Sequence, residues 1–139
     1  MATQWTQDLS VGVAEIDNQH KELFRIIDSL LEAMSKGQAK DSVEPIIGFL
    51  EKYVVDHFAM EENHMLKYNY GSYISHKAQH TAFLADFEAL KSDYQTRGAG
   101  IVVVLQLQKR LSGWLVTHIG VTDKALGAFL ASHPLGKAA

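Results

Sequence analysis

Only two prolines, Pro45 and Pro134, occur in the 139 residues of this chain. Proline removes a backbone donor and breaks helix interiors, so a chain this poor in it leaves long stretches where helices can run uninterrupted. The apolar residues use that freedom with helical spacing. Leu23, Phe24, Ile27, Leu30, Leu31 and Met34 recur at intervals of three and four and predict a helix over 18–36. Asp17-Asn18 supplies its N-cap and Gly37 its stop. A second helix over 42–67 carries Ile46, Ile47, Leu50, Tyr53, Val54, Phe58 and Met65. It opens on Asp41-x-x-Glu44, a capping-box pattern, with Pro45 in the first turn. The turn Tyr68-Asn69-Tyr70-Gly71-Ser72 leads to a third helix over 73–97, lined by Phe83, Leu84, Phe87, Leu90 and Tyr94. After Gly98-Ala99-Gly100 a fourth helix is predicted over 101–120, through Leu105, Leu111, Trp114, Leu115 and Ile119, with a bent extension to 131.

Short connections between long helices favour antiparallel neighbours, so the expected fold is all-α, an up-down-up-down four-helix bundle. Val102-Val103-Val104 is β-branched, but a lone strand has no partner, and helix is retained. The leader, residues 1–16, carries Trp5, Leu9, Val11, Val13 and Ile16 and is expected to lie extended along the bundle, completing a single domain over 1–139. A net charge of −3 gives no reason to expect a nucleic-acid or anionic-membrane partner. No apolar run approaches the roughly 18 residues of a membrane span. Met1 to Asp8 lacks the basic-then-apolar order of a signal peptide, so a cytoplasmic protein is expected. The absence of cysteine excludes disulfides, thiolate nucleophiles and iron–sulfur clusters; any metal must sit on nitrogen and oxygen.

Histidine, by contrast, occurs seven times. His57 and Glu61 are four apart on the second predicted helix, and His76 and His80 four apart on the third, so each pair shares a face. Their phase is inward. His57 and Glu61 continue the stripe of Leu50 and Val54, and His76 and His80 lead into Phe83 and Phe87. His20 precedes Leu23 and Phe24 by one turn, and His118 follows Trp114 and Leu115 by one turn. Taken singly, an inward histidine is more often a hydrogen-bonded core residue than a ligand. Burying an unpaired polar group costs about 1–3 kcal/mol, however, and a metal cluster removes that cost for the whole set at once. Asp123 lies five residues after His118, about 140° away on an ideal helix. The two can share a face only if the helix is distorted or ends nearby, and Gly120 between them would permit this.

His20, His57-x-x-x-Glu61, His76-x-x-x-His80 and His118-x-x-x-x-Asp123 resemble the ligand signature of the hemerythrin family in type, order and spacing. Val11-Gly12-Val13, Ile16-Asp17-x-Gln19-His20, His57-Phe58, Glu61-Glu62 and Trp114-Leu115-x-x-His118-Ile119 resemble its bacterial single-domain members, the bacteriohemerythrins. The resemblance implies a non-haem di-iron centre. His76, His80 and His118 would bind one iron, and His20 and His57 the other. Glu61 and Asp123 would bridge both, with a solvent-derived oxo or hydroxo group. That set leaves one coordination position open, on the iron with two histidines. The implied function is reversible dioxygen binding for transport, storage or delivery, in a pocket lined by Leu23, Phe24, Trp114 and Leu115. The expected protein is a monomer and not an enzyme, with an oxygen-consuming enzyme as recipient. Two other readings compete. Sensing of oxygen, nitric oxide or redox state would call for an output domain. A di-iron oxidase or peroxide-handling role would call for two Glu-x-x-His motifs, and the chain has one, Glu61-x-x-His64.

Overall fold

The four apolar stripes become four helices in a computed structural model that describes residues 4–37, 40–98 and 101–132. Helix α1 is Ala14–Ser35, α2 is Lys40–Lys67 and α3 is Tyr73–Arg97. Helix α4 runs without a break over 101–131. Each helix packs on the next, and α4 closes on α1, which makes the four-helix bundle. Leu23, Ile27, Leu30, Leu50, Phe83, Phe87, Leu111 and Leu115 are buried between them. No strand occurs among the described residues. None of the described helices is long and apolar enough to cross a membrane.

Three details of the elements differ from expectation. Helix α1 begins at Ala14, a turn earlier than its predicted cap. Asp17 therefore sits inside the helix, where its carboxylate accepts from the Val11 N–H at 2.8 Å and the Ser10 hydroxyl at 2.5 Å. The leader is folded back onto the first turn by these bonds. A carboxylate there also meets the positive end of the helix dipole. The leader itself includes a short 3-10 turn, Gln7–Leu9, and buries Val11 on α4. Gly127 permits that contact, because a Cβ built there would lie 2.0 Å from the Val11 carbonyl oxygen. Helix α2 begins at Lys40, ahead of the predicted capping box, so Asp41 lies inside the helix instead of capping it and Pro45 falls past the first turn; Ala99 and Gly100 lie outside the described residues.

Helix α4 departs most. Leu105 is 55% exposed, and the inward stripe instead runs through Val103, Leu107, Leu111, Leu115, Ile119, Asp123 and Gly127, every fourth residue. On an ideal α-helix each four-residue step drifts by about 40°. The drift is absorbed by two π-helical turns, Gln108–Ser112 and His118–Asp123. Each adds about one residue to a turn and resets the phase by roughly 100°. Helix α4 consequently does not end near 120 but faces the core along its whole length.

Candidate metal centre

The second π turn brings the last two site residues into line. In a π-helix the hydrogen bond runs from i to i+5, so residues five apart lie one above the other. His118 and Asp123 begin and end the turn, and both are buried. Gly120 has no left-handed backbone and open space where a Cβ would be, so the distortion does not depend on glycine.

All seven predicted residues meet in one place. His20, His57, Glu61, His76, His80, His118 and Asp123 are each at most 3% exposed and come from all four helices. Ligand atoms of Glu61, His76, His80, His118 and Asp123 lie within 4.8 Å of one another; so do those of His20, His57, Glu61 and Asp123. The two groups share both carboxylates. Each carboxylate divides its oxygens between them. Glu61 Oε1 faces His76 and His80 Nε2 at 3.3 and 3.2 Å, and Oε2 faces His20 and His57 Nε2 at 3.5 and 3.2 Å. Asp123 Oδ1 faces His76 and His118 Nε2 at 3.0 and 3.1 Å, and Oδ2 faces His20 Nε2 at 3.0 Å.

These are not hydrogen bonds. The Nε2 atoms of His20, His76, His80 and His118, both Glu61 oxygens and Asp123 Oδ1 are buried without a hydrogen-bond partner. Ligand atoms about 2.1 Å from a shared metal and at right angles sit about 3.0 Å apart. The orphaned atoms and their spacing fit two metal ions bridged by two carboxylates. The all-imidazole and carboxylate donor set suits iron.

The electrostatics ask for cations. Burial would lift Glu61, yet the facing His57, His20 and His76 hold it well below the usual carboxylate range. Asp123 is raised by burial and by Glu61, but His118, His20 and His76 outweigh both and hold it low. Burial pulls His20 and His76 down, while Asp123 and Glu61 lift each to about 9. For His118 burial prevails, and it titrates below its ordinary value. Two buried carboxylates thus draw protons onto two histidines. Metal ions supply the same positive charge and leave the imidazoles neutral.

Three outer residues orient the imidazoles, and sequence reasoning gave them no role. His57 Nδ1 is 2.6 Å from Gln19 Oε1, His118 Nδ1 2.7 Å from Gln79 Oε1, and His80 Nδ1 2.8 Å from Glu62 Oε2. With Nδ1–H as donor in each, Nε2 keeps its lone pair for a metal. Gln79 Oε1 also accepts from the Thr122 hydroxyl at 3.0 Å, so it holds both ends of the π turn. Two signals were available: Gln19, Glu62 and Gln79 each adjoin a site residue in the chain, and Gln19 and Glu62 fall within the motifs that carry the resemblance.

Aromatic rings close the site. Phe58 stacks on His80 with centroids 3.8 Å apart, and Trp114 on His118 at 4.3 Å. Trp114 is thereby placed over the three-histidine group; Leu23, Phe24 and Leu115 are buried in the surrounding core. His64 turns away, with Nε2 3.4 Å from Glu15 Oε1, and belongs to neither group. His133 lies outside the described residues.

Known proteins share this architecture. A family model described as the hemerythrin HHE cation binding domain matches residues 11–130. A bacteriohemerythrin of Pseudomonas aeruginosa is 34% identical over 119 residues, 86% of this chain and 75% of the relative. One from Methylococcus capsulatus is 30% identical, covering 92% of this chain and 96% of the relative. The crystal structure of a hemerythrin mutant superposes with a TM-score of 0.80 at 27% identity, covering 94% of this chain and 99% of that one. With its bundle, its paired carboxylates and its convergent histidines, the chain belongs to the hemerythrin family.

Proposed function

We propose that the chain binds dioxygen reversibly at a non-haem di-iron centre and acts as an oxygen carrier or store rather than as an enzyme. One observation carries the reading: Glu61 and Asp123 each turn one oxygen to the three-histidine group and the other to the two-histidine group. Such a division serves a pair of metals and has no use for one. The irons, when bound, supply reversible electron exchange with dioxygen. The protein's own part is to hold them unequally, with three imidazoles on one side and two on the other, and to keep the site dry.

The surroundings favour holding a ligand over breaking it. Besides the seven, the buried side chains that carry a hydroxyl among the described residues are Ser112 and Tyr94, and Tyr94 lies fourteen residues beyond His80 on α3. Among the described residues, no spare buried carboxylate or imidazole therefore stands ready to deliver protons to a bound molecule. His64, half of the single oxidase-like string, points at Glu15 instead of the centre.

The test is metal analysis joined to optical spectroscopy. The expected protein holds two irons per chain, with oxo-bridged diferric bands that bleach under dithionite. After anaerobic reduction, air should produce a new spectrum that reverses under vacuum. A single iron, a dominant zinc content, or irreversible oxygen consumption with release of hydrogen peroxide would overturn the proposal.

A further inference from the structure

The outward nitrogens of the five imidazoles are not treated alike. His57 and His118 donate Nδ1–H to neutral amide oxygens, those of Gln19 and Gln79. His80 donates to a carboxylate, Glu62 Oε2, at 2.8 Å. The Nδ1 atom of His76 is buried with no partner, as is that of His20. Among the described residues, then, one outward nitrogen of the five has an anionic partner, and it belongs to the three-histidine group.

We infer that Glu62 makes the two metal positions electronically unequal, enriching the three-histidine iron so that it is the first of the pair to give up an electron. The inference rests on the di-iron reading. A hydrogen bond to a charged acceptor is roughly twice as strong as a neutral one, and it polarises the imidazole toward imidazolate. That raises the basicity of Nε2, which stabilises the ferric over the ferrous ion. The two-histidine iron has only the Gln19 amide behind it. Gln79 is a poorer acceptor still, because the Thr122 hydroxyl shares its oxygen.

The geometry lets the charge act. The His80 side chain is 1% exposed and the Glu62 side chain 20% exposed, so water screens the carboxylate only from its outer side. Phe58, stacked 4° from parallel on the His80 ring, fixes the plane in which the bond is made. Glu62 touches no metal position and acts through His80; it is a positioning residue.

The experiment uses the full iron-loaded chain, with Glu62→Gln and Gln19→Glu. Potentiometric titration with ferricyanide removes one electron from one ferrous ion at a time, and each ferricyanide becomes ferrocyanide. Wild type should oxidise in two separated steps. In Glu62→Gln, which keeps the hydrogen bond and loses the charge, the first step should move to more positive potential and the steps should converge. Gln19→Glu should also bring the steps together, by moving the second to more negative potential. Proton NMR of the zinc-loaded chain gives an iron-free readout. There the His80 Nδ1 proton should be the farthest downfield of the three, and Glu62→Gln should move it upfield. A merely structural Glu62 predicts no change in either readout, because the amide preserves the contact. Two irons bound with both potentials unmoved in Glu62→Gln would overturn the inference and leave the di-iron reading standing. Failure of the wild-type chain to hold two irons would overturn both.

Discussion

Gly127→Ala tests whether the leader is part of the machinery or merely lies on it. Residue 127 is in the interior of α4, where alanine is ordinarily preferred over glycine by about 1 kcal/mol. Here the new Cβ would fall 2.0 Å from the Val11 carbonyl oxygen, 2.8 Å from its Cβ and 2.9 Å from its carbonyl carbon. Two of those three atoms are backbone, so no rotamer change relieves the overlap. The leader must lift by more than an ångström. Overpacking of this kind costs about 1–3 kcal/mol. Exposing Val11, now 5% exposed, adds about 1.5–3 kcal/mol at full release. The gain in propensity loses to these terms, and with Val11 fully released we expect a net destabilisation of about 1.5–5 kcal/mol. Gly48→Ala is the control: it is helical, exposed and has nothing within 4 Å of the added carbon. It should stabilise by up to about 1 kcal/mol. Urea denaturation followed by circular dichroism reads both. The leader also touches the π turn that carries His118 and Asp123, so the iron-loaded Gly127→Ala protein should lose metal to a chelator faster than wild type. If Gly127→Ala is as stable as Gly48→Ala, the close packing of Val11 on α4 is refuted.

Asp123→Asn keeps the volume of the bridge and removes its charge, so it should weaken binding of both irons and lower the oxo-bridge absorption. His64→Asn should leave iron content and spectrum near wild type. In the metal-free chain, stability from His20 and His76 is full below their ordinary 6.5 and is lost as pH rises through about 9. Stability from Glu61 and Asp123 is present above their ordinary 4.5 and 3.8 and is lost as pH falls; buried His118 adds to the acid loss. Denaturation midpoints of the metal-free chain should therefore peak at about pH 6, and a steady rise to pH 9 would contradict the assigned charges. Gln79→Leu strands His118 Nδ1 and the Thr122 hydroxyl at once, and loss of such an outer contact weakens metal binding about 10–100-fold. Competition with a chelator measures it, and unchanged affinity would show that the π turn holds itself.

The convergence of the seven site residues was readable because each breaks an apolar pattern from within. A histidine at the inward phase of a stripe, such as His57 after Leu50 and Val54, has no water to face and must find a partner. The bundle was readable for the same reason, since the stripes that fix the helices also fix their buried faces. The outer residues were not readable. Gln19, Glu62 and Gln79 sit where a soluble helix normally carries polar side chains, and nothing in their type separates an orienting contact from a solvated one. Helix ends failed where a side chain did two jobs. Asp17 has the chemistry of a cap, yet it holds the backbone of Val11 from inside the helix, an arrangement that depends on where the leader returns.

The fourth helix holds the deepest signal, and it was present in the spacing. Residues 103, 107, 111, 115, 119, 123 and 127 are all buried, a period of four that an α-helix cannot sustain. Six such steps accumulate about 240° of drift, and two π turns, at about 100° each, remove most of it. A helix of lower period would have turned Asp123 to solvent and left His118 facing the core alone. The pairing of His118 with Asp123 is thus not a local accident near Gly120. It follows from a stripe that asks the whole helix to unwind, and the site uses the turn where that unwinding is completed. The same turn is held from outside by Gln79 and touched by the leader. The Asp123 carboxylate therefore depends on three separate segments agreeing about one distorted turn, which makes its position the most sensitive report on whether the centre is correctly assembled.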